Sequence, residues 1–272
     1  MNTVELSPLG QKTVYIQTYS PEQLYPVPRS LARKKTNIPE SLPFHGIDIW
    51  NGYELSWLNK KGKPQFALCT FIFSCTSPTI VESKSLKLYL NSFNQSIFVS
   101  ANEVQTIIKK DLSLATNSDV EVHIFPHTDL INTSLKDFDG QCVDHLDIET
   151  SCYSVTPSFL TTQDECVQEK IYTHLLKSNC LATGQPDWGS IFLHYKGPKI
   201  NQESFLKYII SYRNHSGFAE HCIEQIYCDI LHYCKPELLT VYGCYTRRGG
   251  LDINPFRSNF EQRPNLFRHV RQ

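Results

Sequence analysis

The stretch Tyr89-Leu90-Asn91-Ser92-Phe93 returns as Tyr208-Ile209-Ile210-Ser211-Tyr212, at an offset of 208 − 89 = 119 residues. At the same spacing Val104, Ile107, Ile108 and Leu112 meet Ile223, Ile226, Tyr227 and Leu231, and upstream Ile72 and Phe73 meet Ile191 and Phe192. Matches before, within and after a helical stretch, without a gap, indicate two copies of one supersecondary unit. Strands come first in each copy: Phe66 to Cys75 alternates, and Ile191 to Tyr195 is short and apolar. A helical pair follows. In the second copy it runs near Gln202 to Tyr212 and near Phe218 to Cys234, where Phe218, Cys222, Ile223, Ile226, Tyr227 and Ile230 fall at helical spacing and Pro236 ends the run. A strand closes each unit, Val120 to Phe125 and Leu238 to Thr246. This order predicts an α+β fold, with a helical pair packed on one face of an antiparallel sheet.

Outside the copies, the first ~50 residues hold Pro21, Pro26, Pro28, Pro39 and Pro43 and show little periodicity. Leu42 to Trp50 (LPFHGIDIW) is too apolar for a free tail, so an arm docked on the body is expected. The expected division is an arm and entry segment over 1–60, a first module over 61–150 and a second over 151–272, with Asp137 to Pro157 linking the copies.

Bulk composition narrows the function. With 272 residues, 40% of them hydrophobic, the chain can bury a substantial core. A net charge of −1 gives no basic field for holding nucleic acid through phosphates. No run approaches the ~20 apolar residues of a membrane span. The opening MNTVELSPLGQK lacks a basic region followed by an apolar run, so a cytosolic protein is expected. The ten cysteines should then be reduced, the absence of any CxxC pair argues against a structural zinc knuckle, and no metal site is expected. Eight or nine of them are expected to pack as small hydrophobes.

Three clusters carry chemistry. In SNCLATGQPDWGS, Ser178 to Ser190, Cys180 stands in a polar loop that Gly184 and Pro186 break before a strand. Asp187, across the turn, can take the thiol proton and later return it to a substrate atom; the plainer reading is a half-buried cysteine with an aspartate turn former. In VESKSLKLY, Val81 to Tyr89, charges surround two serines at a helix start, which reads either as a solvated terminus or as a carboxylate, Glu82, facing a guanine-like edge beside phosphate-holding Ser83 and Lys84. In TRRGGLDINPFR, Thr246 to Arg257, two arginines and two glycines after a strand make a phosphate clamp or a surface turn.

Together the stretches VESKSLKLYLNSFNQ (81–95), SNCLATGQPDWGS (178–190) and YTRRGGLDINPFRSN (245–259) resemble the 7-cyano-7-deazaguanine reductases, the QueF family of queuosine biosynthesis. VPRSL (27–31) and LPFHGIDIWNGYELSWLN (42–59) resemble its long, two-module branch. The resemblance implies tandem tunnelling-fold modules in a homodimer, and reduction of a nitrile by two NADPH through a thioimide. It also implies a free-base substrate, with no contact to nucleic acid or membrane. On it Cys180 is the nucleophile and Asp187 the proton donor. Glu82 and Glu220, with Val81, Ser83 and Ala219, hold the base, while Ser83, Lys84, Arg248 and Gly249 contact NADPH. One position departs. The family reads Phe-His-Glu where this chain has Phe218-Ala219-Glu220, and His221, two residues or about 200° past Ala219 on a helix, should face away from the site. The competing functions are a cysteine-dependent nitrile hydrolase, which needs water instead of a dinucleotide, and a purine-binding module without a reactive thiol. A zinc-dependent cyclohydrolase relative would need paired Cys/His ligands that the spacing does not supply.

Overall fold

The computed structural model describes residues 15–36, 38–126, 135–181 and 183–272. The beginning of the expected arm, residues 1–14, therefore lies outside the described residues, as does Ala182 of the Cys180 loop. The chain forms two compact units, one of residues 1–32, 48–133 and 247–253, the other of residues 33–47, 134–246 and 254–272. The architecture is α+β, as expected, with five α-helices among the described residues.

In the first unit β1 (Pro26–Pro28) and helix α1 (Arg29–Lys35) precede β2 (His45–Leu58), β3 (Pro64–Ser74), β4 (Thr79–Val81), α2 (Ser83–Ser92), α3 (Ala101–Thr116) and β5 (Val120–Pro126). The sheet order is β5-β3-β2, and β3 and β5 pair antiparallel with Phe71 opposite Val122. Phe71, Leu86, Tyr89, Phe93, Ile108 and Leu112, all 0% exposed, form the core between sheet and helices. The arm does dock where it is described: β1 pairs with β4, and the amides of Tyr19, Ser20 and Tyr25 donate to Ser96, Ser92 and Ser85 at 2.7, 3.1 and 3.0 Å.

The second unit contains β6 (Leu135–Lys136), β7 (Gln141–Cys142), the long strands β8 (Thr162–Asn179) and β9 (Pro186–Ile200), α4 (Gln202–Ile210), α5 (Ala219–Cys234), β10 (Leu238–Tyr245), β11 (Leu251–Ser258) and β12 (Arg268–His269). Its order is β11-β10-β9-β8-β7, antiparallel except that β7 runs parallel to β8. The expected linker thus contributes a strand. Helix α5 stops at Cys234, with Lys235 left-handed at φ 49° just before Pro236.

Matching helix caps and back-bonds recur along the chain, but at an offset that changes. The first helices keep 119: Glu82 and Asn201 cap them, and Ser92 and Ser211 bond back to the carbonyls of Tyr89 and Tyr208, both at 2.6 Å. The second helices match at 235 − 117 = 118, because Asn117 and Lys235 are the paired left-handed caps. Val104, Ile108 and Leu112 then correspond to Cys222, Ile226 and Ile230, all 0% exposed. The connection between helices is one residue shorter in the second copy. Apolar matching cannot detect this, since α5 also buries Ile223 and Tyr227. At offset 119, β2 maps to residues 164–177, inside β8.

Both copies share one polar tie. Tyr89 donates to Asp111, and Tyr208 to Asp229, each at 2.6 Å. Burial pushes the Asp229 carboxyl up to about 6, with the Tyr208 bond opposing it. An unfolded aspartate ionises near 3.8, so between those values the unfolded chain sheds a proton that the folded one keeps. Stability from this group is whole below about pH 4 and lost as pH rises through about 6. Asp229→Asn, which keeps the carbonyl facing Tyr208, should flatten that slope. In urea unfolding it should gain about 2 kcal/mol over the parent at pH 7.5 and little at pH 4. An equal difference at both pH values would refute the assignment.

Candidate active site

Strands β8 and β9 form one hairpin, and Cys180 opens its turn. The last pairs are Ser178 with Asp187 and Asn179 with Pro186. The Cys180 amide donates to the Gln185 carbonyl at 2.8 Å, and the Gly184 amide to the Cys180 carbonyl at 3.0 Å. Gly184 sits at φ +67°, which a residue with a Cβ seldom adopts. Alternation on a strand puts Ser178 and Asp187 on one face, with Cys180 continuing it two residues on. Tyr245, opposite Gly189, extends the same face. A Cβ on Gly189 would stand 3.3 Å from the Tyr245 ring.

The head of α5 is tied to this turn. The Asn179 amide donates to His215 O at 2.8 Å, and the Gly217 amide returns to Asn179 O at 3.2 Å. Lys177 Nζ adds bonds of 2.7 Å to Asn179 Oδ1 and 2.6 Å to Arg213 O. Two residues past Gly217 the helix begins with Ala219 and Glu220. Glu220 is 1% exposed, Ala219 and Asp187 are half-buried, and Cys180 is 8% exposed. Four expected residues, Cys180, Asp187, Ala219 and Glu220, therefore gather in the second unit. His221 is buried at 7% exposure, with its ring against Phe218, so it does not point to solvent.

Three further groups of this cluster were missed in the sequence. Cys222, fully buried, is pushed up to about 12, first by burial, with the hydroxyls of Tyr245 and Ser178 opposing and the carboxylates of Glu220 and Asp187 adding to the rise. It stays a thiol and does not compete as a nucleophile. Ser178 Oγ and Tyr245 Oη lie against it without a well-formed hydrogen bond. The strand register would have revealed Ser178 and Tyr245, had the pairing been known.

The other expected residues lie in the first unit. Strand β4 ends at Val81 and Glu82 caps α2, accepting from the amides of Lys84 at 2.8 Å and Ser85 at 2.9 Å, with Ser83 Oγ at 3.4 Å. Glu82 is 0% exposed, and burial raises its pKa against the pull of those amides and of Lys87. The reading as a solvated terminus is thus corrected, because the cap turns the carboxylate inward. Oε2, which accepts from the Ser85 amide, keeps a lone pair for a further donor. The glycine loop meets the same helix. Gly249 at φ +58° and Gly250 at φ +74° close a turn in which the Arg248 amide donates to Leu251 O at 2.8 Å. The Lys87 side chain packs on Gly249, 3.2 Å from where a Cβ would be. Arg247 lies 3.5 Å over the Tyr53 ring, and Arg248 is half-buried, so neither is a freely solvated arginine. The lysines and the glycine turn make a donor set that fits phosphate.

All ten cysteines are free. Six are buried, but Cys142, Cys152 and Cys228 are half-buried and Cys166 is exposed, so fewer pack as core than expected.

The Cys180 turn thus shares the second unit with a strand carboxylate, Asp187, and a helix-head carboxylate, Glu220, residue types that nucleophilic and proton-transfer chemistry uses. Comparison with known proteins specifies the class. Residues 15–124 match the family described as nitrile reductase, 7-cyano-7-deazaguanine-reductase N-term, and residues 186–264 match the QueF-like protein family. The NADPH-dependent 7-cyano-7-deazaguanine reductase of Legionella pneumophila (strain Corby) is 54% identical over 259 residues, 94% of this chain and 91% of that protein. The protein of the same name from Burkholderia cenocepacia (strain HI2424) is 50% identical over 273 residues, 98% of this chain and 99% of that protein. The chain belongs to the QueF family of nitrile reductases.

Proposed function

We propose that this chain reduces the nitrile of 7-cyano-7-deazaguanine to the aminomethyl base in queuosine biosynthesis, consuming two NADPH through a thioimide on Cys180. The observation that carries the reading is the pair of Asn179 hydrogen bonds, which brings the carboxylate-bearing head of α5 to the Cys180 turn. A nitrile carbon is a modest electrophile, and sulfur addition converts it into a C=N group that accepts hydride. Cys180 adds to the carbon while its proton passes by way of Asp187 to nitrogen. NADPH, when bound, supplies a hydride to this carbon and, after the C–S bond breaks, a second to the imine. Cys180 departs as thiolate, and Asp187 moves protons to the developing amine. By resemblance to the family, Glu220 and Glu82, with Val81, Ser83 and Ala219, are the residues assigned to the base. Ser83, Lys84, Arg248 and Gly249 hold the dinucleotide phosphates. In this reading each copy of the repeat is a tunnelling-fold module, the first beginning at β2, and the enzyme is a cytoplasmic homodimer that acts on the free base.

The test is to follow NADPH oxidation with the nitrile: two equivalents per amine formed support the reading. Hydrolysis to the acid without NADPH use would replace it by a nitrile hydrolase. Ala219 gives a second expectation. Alanine keeps the helix start but has no group to assist protonation. Ala219→His, at a half-buried position, should speed single-turnover reduction of the preformed adduct by roughly 10²-fold or more. An unchanged rate would mean that another group delivers the proton.

A further inference from the structure

The second unit holds a group of side chains that the reaction does not use. Asp137 follows β6, His174 lies on β8, and His269 ends β12, which pairs parallel to β6. One carboxylate faces both imidazoles: Asp137 Oδ2 is 3.4 Å from His174 Nε2, and Asp137 Oδ1 is 3.1 Å from His269 Nε2. One ligand atom from each of the three residues lies within 4.8 Å of the others. Ligands bound to zinc at about 2.0–2.1 Å in a tetrahedron stand roughly 3.3 Å apart, so each carboxylate–imidazole spacing suits an ion, and the wider separations, up to 4.8 Å, close by small side-chain rotations when one binds.

The surroundings are those of a ligand set. His174 Nδ1 is 2.9 Å from Ser190 Oγ. When Nδ1 donates there, the Nε2 lone pair faces a carboxylate oxygen, and a cation between them satisfies both. The Phe138 ring stacks on both imidazoles, at 6.4 and 5.7 Å between centroids, and walls one side. Asp137 is 49% exposed, which leaves a position for water. Three features oppose binding. Asp137 Oδ1 accepts from the Phe138 amide at 2.8 Å and Oδ2 from the Tyr172 hydroxyl at 3.4 Å, so each oxygen has one lone pair left for an ion. The Arg271 amide contacts His269 Nδ1 at 3.3 Å, and this long bond gives way when the proton moves to Nδ1. The Arg271 guanidinium, 2.6 Å from His174 O, adds a positive charge, which Asp137 and Asp144 outnumber. Cys142 and Asp144 also approach His174, but Asp144 already accepts from Thr173 Oγ1 and the His174 amide.

We propose that Asp137, His174 and His269 bind one divalent transition-metal ion of the zinc class, which fastens the C-terminal strand to β8. Nitrogen and oxygen ligands, with water in the fourth position, define the site. The whole protein, stripped with chelator, is titrated with Co²⁺ and Zn²⁺. One Co²⁺ per chain is expected, with four-coordinate d–d bands, no thiolate charge-transfer band, and a rise in Tm on adding Zn²⁺. His174→Gln and Asp137→Asn should each weaken binding by about 10²-fold or more. Cys180→Ala should leave it unchanged, which separates this site from the catalytic thiol. Because His174 and Asp137 are partly exposed, an unaltered Tm of the stripped variants confirms their fold. Binding that survives both substitutions, that requires a thiolate, or that is missing at micromolar free metal overturns the proposal.

Discussion

Cys180→Ala is expected to abolish turnover, by about 10⁴-fold or more, and with it the mass gain on incubation with the nitrile in the absence of NADPH. The fold should persist, because Cys180 sits in a turn held by backbone bonds to Gln185 and Gly184 that alanine keeps. A variant that still gained the mass of the nitrile would move the nucleophile elsewhere. Thiol labelling alone cannot replace this experiment. Cys166 is exposed, and the hydrogen bonds of Thr156 and Ser154 lower the pKa of the half-buried Cys152 thiol, so both should react with alkylating agents. The adduct must be located by peptide mapping, and it should map to Cys180 only.

Glu224→Ala should give the largest loss of stability. Glu224, 0% exposed, accepts from Arg257 Nε and Nη2 at 3.1 and 2.8 Å and from Arg33 Nε and Nη2 at 2.9 and 2.7 Å. Arg257 is also 0% exposed and lies 5.7 Å over the Phe44 ring. Removing the carboxylate leaves two guanidinium groups without their anion, one of them fully buried. Such a break costs about 3–5 kcal/mol, a fall in Tm of roughly 10 °C for a chain of this size. Arg257→Met removes the cation as well and should recover part of the loss in the double variant. If Glu224→Ala unfolded at the parent temperature, the triad would carry no net weight.

Element type was legible wherever apolar spacing was regular, as over Phe218 to Cys234. It failed where spacing could not resolve a shift of one residue, and there the left-handed caps at Asn117 and Lys235 fixed the register. Proline content obscured β2, whose fourteen residues continue an apolar segment assigned to the arm. Within the candidate site, Cys180 and Asp187 could be proposed together because they lie at one local turn. Ser178, Tyr245 and Cys222 could not, since they meet through strand pairing and helix packing between distant segments. The same limit hid Asp137, His174 and His269, which no local spacing connects.

Helices α2, α3 and α4 each begin under a side chain, Glu82, Ser100 and Asn201, that accepts from a first-turn amide, whereas α5 begins at Phe218 without one. A missing cap costs on the order of 1 kcal/mol. It also leaves amide donors at the helix head closest to the Cys180 turn without that local acceptor. Helix-head amides without a local side-chain cap suit the negative charge that would build on nitrogen in the proposed sulfur attack, an electrostatic environment set before the reaction begins.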